Sequence, residues 1–349
     1  MRILLTADPE IPVPPVHYGG IERIVDALAR GLSARGHEVG LLAHPDSRCA
    51  SSTCFPWPGA SSSSRFDTLR NALALRRCVA SFKPDLVHSF SRLLYLAPLR
   101  FQRLPRIMSY QRHTGPAQAR WGRLIGGPNL SFTGCSEFIC AQGRPGGGLW
   151  TPIHNFVEPE QFQFAASVPA DAPLLFLSRI EHIKGPDLAI AIARAAGRRL
   201  IIAGNHATSG PEHLFWQNQI QPQLDADGIS YVGPVNNEAK ARLLSEAAAL
   251  LLPIRWNEPF GIVFAEAFAA GTPVICPARG ATPEIVTHGK TGFFAENHQE
   301  SVAAVHALPT LSRAACRAEA ETRFSAQAII SAYEALYLQC LQSARPLAP

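Results

Sequence analysis

The chain has 349 residues and a mass of 37.8 kDa, enough for two domains of roughly 150–200 residues rather than one core. With 47% hydrophobic and 17% charged residues it reads as globular, and its apolar runs (Leu174–Leu177, Leu250–Leu252, Ile262–Phe264) stop far short of the roughly 20 residues a membrane span needs. The formal charge of +5 is uneven: residues 1–160 hold 18 Lys and Arg against 11 Asp and Glu, and the remainder 14 against 16. Within 65–123 there are 12 basic residues and two acidic ones, Asp67 and Asp85. That run reads either as a solvated face or as a surface for something anionic, a membrane leaflet or a charged acceptor. It carries Phe66, Phe82, Phe90, Tyr95, Phe101, Tyr110 and Trp121 but no recognised nucleic-acid motif.

Met1-Arg2-Ile3-Leu4-Leu5 turns polar at Thr6-Ala7-Asp8, so it reads as a first strand, Arg2–Ala7, rather than a secretory segment. A Pro-rich loop leads to Tyr18-Gly19-Gly20, and a helix runs from Ile21 to Arg35 with Ile21, Val25, Leu28 and Leu32 on one face. Gly36-His37 ends it and Glu38–Ala43 is the next strand. The result is a βαβ unit with Gly19-Gly20 at the strand's carboxyl edge. It is not a GxGxxG, so the dinucleotide fingerprint is absent; the glycine pair serves either a close approach to phosphate or a plain turn. Ser47–Ser64 reads as loop and Phe66–Phe82 as helix. Strands follow at 84–89, at Ile107–Tyr110 and at Leu130–Thr133, each ending in a polar tip. Ends of parallel strands face the crevice where ligands bind. This makes His88, Arg112, His113 and Ser136 candidates, the first, second and fourth on the acceptor side. The Gly- and Pro-rich Gly143–Pro159 reads as a linker closing a first domain of 1–158.

A second doubly wound domain, 159–324, is expected from strands at Leu174–Leu177, Leu200–Ala203, Ile229–Val232, Ala249–Pro253 and Pro273–Cys276, with helices between. Its first strand runs into Ser178-Arg179-Ile180-Glu181-His182-Ile183-Lys184-Gly185-Pro186, two cations flanking a glycine turn and a helix start, which suits a diphosphate. Asp225-Ala226-Asp227 precedes a turn and reads as loop, not as a metal-binding DxD. The stretch Asn257–Pro273 reads as a helix opened by Pro259 and Gly261 and closed by Gly271. Between those stops Glu266 is the one polar side chain. It has no Lys or Arg three or four positions away, so a buried carboxylate there needs a partner from elsewhere. Glu258 lies eight positions earlier, at the positive mouth of the helix. A final amphipathic helix, Ser325 to Leu341, is expected to pack back on the first domain. The eight cysteines lack a CxxC pair and a matching histidine pattern, which suits unbridged thiols in a reducing cytosol and no metal.

With these residues in place the chain resembles the family-4 retaining glycosyltransferases of the GT-B fold, α/β proteins whose two Rossmann-like domains face a cleft. The likeness covers nearly the whole chain. It is carried by Glu258-x7-Glu266 with Pro259-Phe260-Gly261 and Gly271-Thr272-Pro273-Val274, and by Gly280-Ala281-Thr282-Pro283-Glu284. Gly289-Lys290-Thr291-Gly292, Arg179 with Lys184-Gly185, and Gly19-Gly20-Ile21-Glu22-Arg23 complete it. The resemblance implies that Arg179 and Lys184 neutralise a donor diphosphate and that Glu266 binds ribose hydroxyls. Glu258 would bind the transferred sugar, and the backbone at Phe260, Gly261 and Ile262 would cap the β-phosphate. Gly19 and Gly20 approach that phosphate, Val232 lies on the donor side, and His113 falls where the family has a histidine near the sugar, although in an unusual Tyr-Gln-Arg-His-Thr context. Asn155 matches an asparagine normally followed by glycine; here Phe156 follows.

The implied activity is metal-independent hexosyl transfer from a UDP- or GDP-sugar, a co-substrate rather than a cofactor. The acceptor would be a glycan, a lipid-linked molecule or a small molecule, and the reaction cytoplasmic with peripheral contact to an anionic membrane. Two other readings compete: a nucleotide-sugar epimerase of the same fold, and a polyanion-binding module built on 65–123. No nucleic-acid partner is expected.

Overall fold

The computed structural model describes residues 1–15, 19–50, 52–225 and 228–344. Tyr18 of the glycine loop and Ala226 and Asp227 of the DxD-like triplet lie outside the described residues, as does the chain beyond Ala344. The chain forms two units, one of Met1–Asn155 with the C-terminal helix Ala326–Ala344, the other of Phe156–Ser325.

The first unit is built in chain order from β1 (Arg2–Thr6), α1 (Gly20–Ala34), β2 (Glu38–Ala43), β3 (Thr53–Pro56), α2 (Arg65–Phe82), β4 (Leu86–Ser89), β5 (Arg106–Tyr110), α3 (Pro116–Gly126), β6 (Leu130–Gly134), α4 (Glu137–Gly143) and β7 (Trp150–Pro152). Its strands make a parallel sheet in the order β3-β2-β1-β4-β5-β6-β7. Strands such as Ile3–Leu5 and Leu86–Val87 are apolar and fully buried because helices cover both faces. Right-handed crossovers dictate which face each helix takes. The chain leaves β3 and β5 in the same direction across the sheet, so α2, the 3₁₀ segment Leu93–Leu99 and α3 share one side. Leu75, Val79, Tyr95, Leu96, Ala119 and Phe132 accordingly meet in one core cluster. On the other side α1 meets the C-terminal helix. A Cβ on Gly31 would lie 2.1 Å from Ile330 Cδ1, so a larger residue there would force the Ile330 side chain to move. Arg35 pairs with Glu334, and His37 Nε2 lies 2.7 Å from the same carboxylate.

The second unit runs β8 (Leu174–Leu177), α5 (Pro186–Ala195), β9 (Leu200–Ala203), α6 (Gly210–Phe215), β10 (Ile229–Gly233), α7 (Asn237–Glu246), β11 (Ala249–Leu251), α8 (Ile262–Ala269), β12 (Val274–Cys276), α9 (Thr282–Ile285), β13 (Gly292–Phe294), α10 (His298–Ala307) and α11 (Arg313–Arg323). Its parallel sheet is ordered β10-β9-β8-β11-β12-β13. Strand order reverses between β1 and β4 in one unit and between β8 and β11 in the other. Ligands of open α/β sheets bind outside the carboxyl ends of strands at such points.

Four segments depart from the sequence reading, the first being β13 (Gly292–Phe294), a strand paired to β12 where none was expected. Thr53–Pro56 is an edge strand paired to β2 inside the stretch read as loop; it is mostly exposed and lacks an apolar pattern. Trp150–Pro152 is a strand inside the expected linker, its Trp150 ring 4.6 Å from Phe132. The helix at the heart of the second unit starts at Ile262, after Gly261 (φ +82) as its cap, so Pro259 precedes it by more than one position. The basic run also loses a member: Arg106 is fully buried, donates to Leu99 O and is held down to about 10 by burial. Among the described residues no helix is long and apolar enough to cross a membrane.

Candidate active site

In the second unit the β8–α5 turn and the loop after β11 are tied together. Gly185 (φ +75) leads into α5, and a Cβ on it would sit 2.2 Å from Pro253 O. Arg255, which nothing in the sequence singled out, donates from both guanidinium nitrogens to Asp187 at 2.8 and 2.6 Å and to His182 O at 2.8 Å. Burial alone would raise the Asp187 carboxyl, but the Arg255 hydrogen bonds and charge more than offset it and hold it below the usual carboxylate range. This clamp fixes the two loops that carry Lys184 and Glu258.

Lys184 Nζ donates to Glu258 Oε2 at 2.8 Å, with both side chains almost enclosed. Trp256 completes the group: its Nε1 donates to the same carboxylate oxygen at 2.9 Å, and the Lys184 ammonium stands 4.3 Å from its ring centroid. Glu258 is fixed through its backbone as well. Ala281 N donates to Glu258 O at 2.8 Å, and a Cβ on Gly280 (φ +65) would lie 2.5 Å from Glu258 N and O. Arg179 is placed differently. It is nearly half exposed and its guanidinium pairs with Glu181, two residues on.

Gly261 caps α8 without a side-chain hydrogen bond, so the N–H groups of its first turn point outward with the positive dipole end. Phe260 is buried against Phe324, centroids 5.9 Å apart, which leaves its backbone rather than its ring at the helix mouth. Glu266 has a partner after all: Lys240 on α7 donates to its Oε1 and lies 5.8 Å from the Phe162 ring centroid. The pairing is tertiary, 26 residues apart, and no local pattern announces it. Val232 is exposed at the end of β10, next to Gly233 (φ +77).

In the first unit Gly19 caps α1, and Gly20 is its first residue. A Cβ on Gly19 would lie 2.7 Å from Pro15 Cβ and 2.8 Å from Glu22 Oε2, so the turn admits no side chain. Beyond β1 lies an acidic group that no sequence pattern marks. Burial and the nearby Glu10 and Glu22 carboxylates push the Asp8 carboxyl up to about 6, against the opposite pull of Arg112 and Arg92. Burial also raises Glu22. Asp8 Oδ1, Gln111 Oε1 and Thr114 Oγ1 are buried without a hydrogen-bond partner. His113 is exposed, held by Gln142 at 3.2 Å and edge-on to Phe138. An isolated aspartate at the end of a first strand gives no hint of such a setting.

Asp8 has a consequence for stability. Its folded value of about 6 exceeds the ordinary 3.8, so its contribution is full below 3.8 and is lost as pH rises through 6. Asp8→Asn should therefore stabilise the protein at pH 8 by about 1–3 kcal/mol, with the gain vanishing near pH 4, as paired denaturation curves would register.

Two acceptor-side candidates are not at a site. His88 is fully buried between the sheet and the C-terminal helix, its Nδ1 2.7 Å from Tyr337 Oη and its Nε2 2.6 Å from Ser109 Oγ. Burial pushes it down to about 3, so it stays neutral and structural. Its strand is covered on both faces, and alternation turns residue 88 inward. Ser136 is buried and caps α4, accepting from Ile139 N at 3.2 Å. A small polar turn after a strand is equally the start of the next helix. Among the described residues no cluster of His, Cys, Asp or Glu could hold a metal.

Comparison with known proteins matches residues 18–131 to the family model described as Glycosyltransferase Family 4 and residues 157–328 to Glycosyl transferases group 1. A glycogen synthase of Mycobacterium tuberculosis is 28% identical over 84% of this chain and 81% of its own. AviGT4, a glycosyltransferase involved in avilamycin A biosynthesis, superposes with a TM-score of 0.73 at 27% identity, covering 98% of both chains. Anabaena HepE, solved in complex with UDP-glucose, gives 0.73 at 18% identity, covering 98% of this chain and all of that one, a likeness of fold.

Proposed function

Starting from a chain that belongs to the GT-B glycosyltransferases, a family 4 segment followed by a group 1 segment, we propose that it transfers a hexosyl group from a nucleoside-diphosphate sugar to a hydroxyl acceptor with retention of configuration. The observation that carries this reading is the Lys184–Glu258–Trp256 group at the topological switch point of the second sheet, beside the uncapped mouth of α8. Breaking the bond between the sugar's anomeric carbon and the β-phosphate oxygen leaves negative charge on that phosphate. Lys184, Arg179 and the first-turn N–H groups of α8 stabilise it. The new bond forms from the acceptor oxygen, whose proton passes to the departing phosphate oxygen.

Glu258 holds hydroxyls of the transferred sugar and Glu266 those of the ribose. Gly19 and Gly20 offer backbone to the phosphate, and His113 stays the proposed histidine near the sugar. On the acceptor side the proposal now rests on Arg112 and Asp8. The UDP-glucose bound to HepE and the glycogen synthase likeness support a nucleotide-sugar donor, UDP- or GDP-linked. A glycan, lipid-linked molecule or small molecule accepts the sugar. A cytoplasmic setting is part of the proposal and accords with eight unbridged cysteines.

Lys184 and Arg179 supply the positive charge at the diphosphate, so EDTA should leave transfer within about twofold of its untreated rate. Loss with EDTA that Mg²⁺ or Mn²⁺ reverses would refute metal independence. The function itself is tested by a thermal-shift screen of UDP- and GDP-sugars, then mass spectrometry of donor with and without an acceptor panel. Binding of one donor and acceptor-dependent release of nucleoside diphosphate are expected. Conversion of the donor's sugar without an acceptor would favour an epimerase instead.

A further inference from the structure

The outer surface of the first unit's α2–α3 layer is basic and apolar at once. Helix α2 turns Leu75, Val79 and Phe82 into the core, yet its outward face carries Phe66 (69% exposed), Leu69 (60%) and Leu73 at positions i, i+3 and i+7. A surface helix ordinarily places polar residues there. Arg65, Arg70, Arg76 and Arg77 flank that apolar stripe, all exposed. The arrangement recurs on α3, where Trp121 (59%) and Leu124 stand between exposed Arg120 and Arg123. Between the helices Phe101 (89%) projects after Leu93–Leu99, with the Arg100 guanidinium 4.8 Å from its ring centroid.

The two acidic residues of this stretch offset only part of the charge: Asp67, half-buried, pairs with Arg70 at 3.6 Å, and Asp85 is exposed just before β4. Asp67 accepts from Ser61 N at 3.2 Å, and Asp85 accepts from Arg2 N at 2.7 Å. α2, Leu93–Leu99 and α3 share one core cluster, so their outer faces form one side of the unit. Arginines interleaved with large apolar and aromatic side chains fit a surface that offers anionic headgroups above hydrocarbon. Polyanions in water offer the charge without the apolar phase.

We propose that this face docks on an anionic lipid bilayer, with the arginines at the headgroups and Phe66, Leu69, Phe101 and Trp121 at the acyl boundary. The inference is independent of the transfer chemistry, because it is read without activity. Sedimentation of the full chain with phosphatidylcholine vesicles, with and without about 30% phosphatidylglycerol, tests it. Binding should need the anionic lipid and fade between about 50 and 500 mM salt. The R70Q/R76Q/R77Q variant should bind roughly tenfold or more weakly. F66S/L69S/L73S should also lose binding while melting like the parent, as exposed substitutions do.

Trp121 gives a second reading. Of the five tryptophans it is the one strongly exposed, so brominated anionic vesicles should quench it and W121F should remove most of that quenching. No binding to anionic vesicles, equal binding to neutral ones, unchanged binding of both triple variants, or retention by heparin without vesicle binding would each overturn the proposal.

Discussion

Replacing Lys184 by alanine should lower kcat/KM for sugar transfer by about 10²–10³-fold, the range seen when one preorganised donor to a developing oxyanion is lost. The ammonium is held by Glu258 at 2.8 Å and lies over Trp256, which fixes its position in the site. Truncation leaves Glu258 enclosed with Trp256 Nε1 as its remaining polar partner in this group, and some stability will be lost with activity. The K184M/E258Q double variant separates the two effects. It removes both charges, so its melting temperature should return toward the parent while transfer stays depressed. Activity within a few-fold of the parent in either variant would remove Lys184 from the mechanism. Arg179→Ala carries a different expectation, because that guanidinium rests on Glu181. A loss of similar size means it leaves Glu181 for the diphosphate; a loss of a few-fold assigns the phosphate to Lys184 and α8.

Glu266→Gln should weaken nucleoside-diphosphate binding by roughly 10- to 100-fold, since hydrogen bonds to a charged group are worth about 1.5–3 kcal/mol. The helix sequence suggests that the carboxylate is uncompensated and that glutamine would relieve it. The Lys240 contact reverses that expectation: glutamine strands an ammonium beside Phe162, and the apo protein should become less stable, not more. Lys240→Met keeps the carboxylate and removes its holder, so it should cost less affinity than E266Q. The informative comparison is between a ribonucleotide and its 2′,3′-dideoxy analogue. The parent should prefer the ribonucleotide and E266Q should lose that preference. An unchanged preference in E266Q, with stability reduced, would make Glu266 a structural residue.

Much of this was legible in the residues. Strand and helix order in both units follows from apolar runs separated by glycine and proline stops, and Lys184 and Glu258, 74 residues apart, do come together. What escaped the sequence has physical causes. β3 is an exposed edge strand, so no period-2 pattern marks it. His88 sits at a strand end, and nothing local tells that Tyr337 from the far end of the chain covers it. Arg255 and Lys240 act through tertiary contacts whose partners the chain order hides, and Trp256 bonds to Glu258 two residues on, a pairing that no pattern of residue types marks. Asp8 is set apart by burial and by Glu10 and Glu22, properties of the folded site rather than of the tripeptide around it.

A crystal structure with the nucleoside diphosphate selected by the thermal-shift screen tests the central claim most directly. The β-phosphate should lie at the first turn of α8 with Lys184 Nζ in hydrogen-bond reach and the ribose hydroxyls on Glu266. A nucleotide bound elsewhere, or bound without touching Lys184 and Glu266, would contradict it.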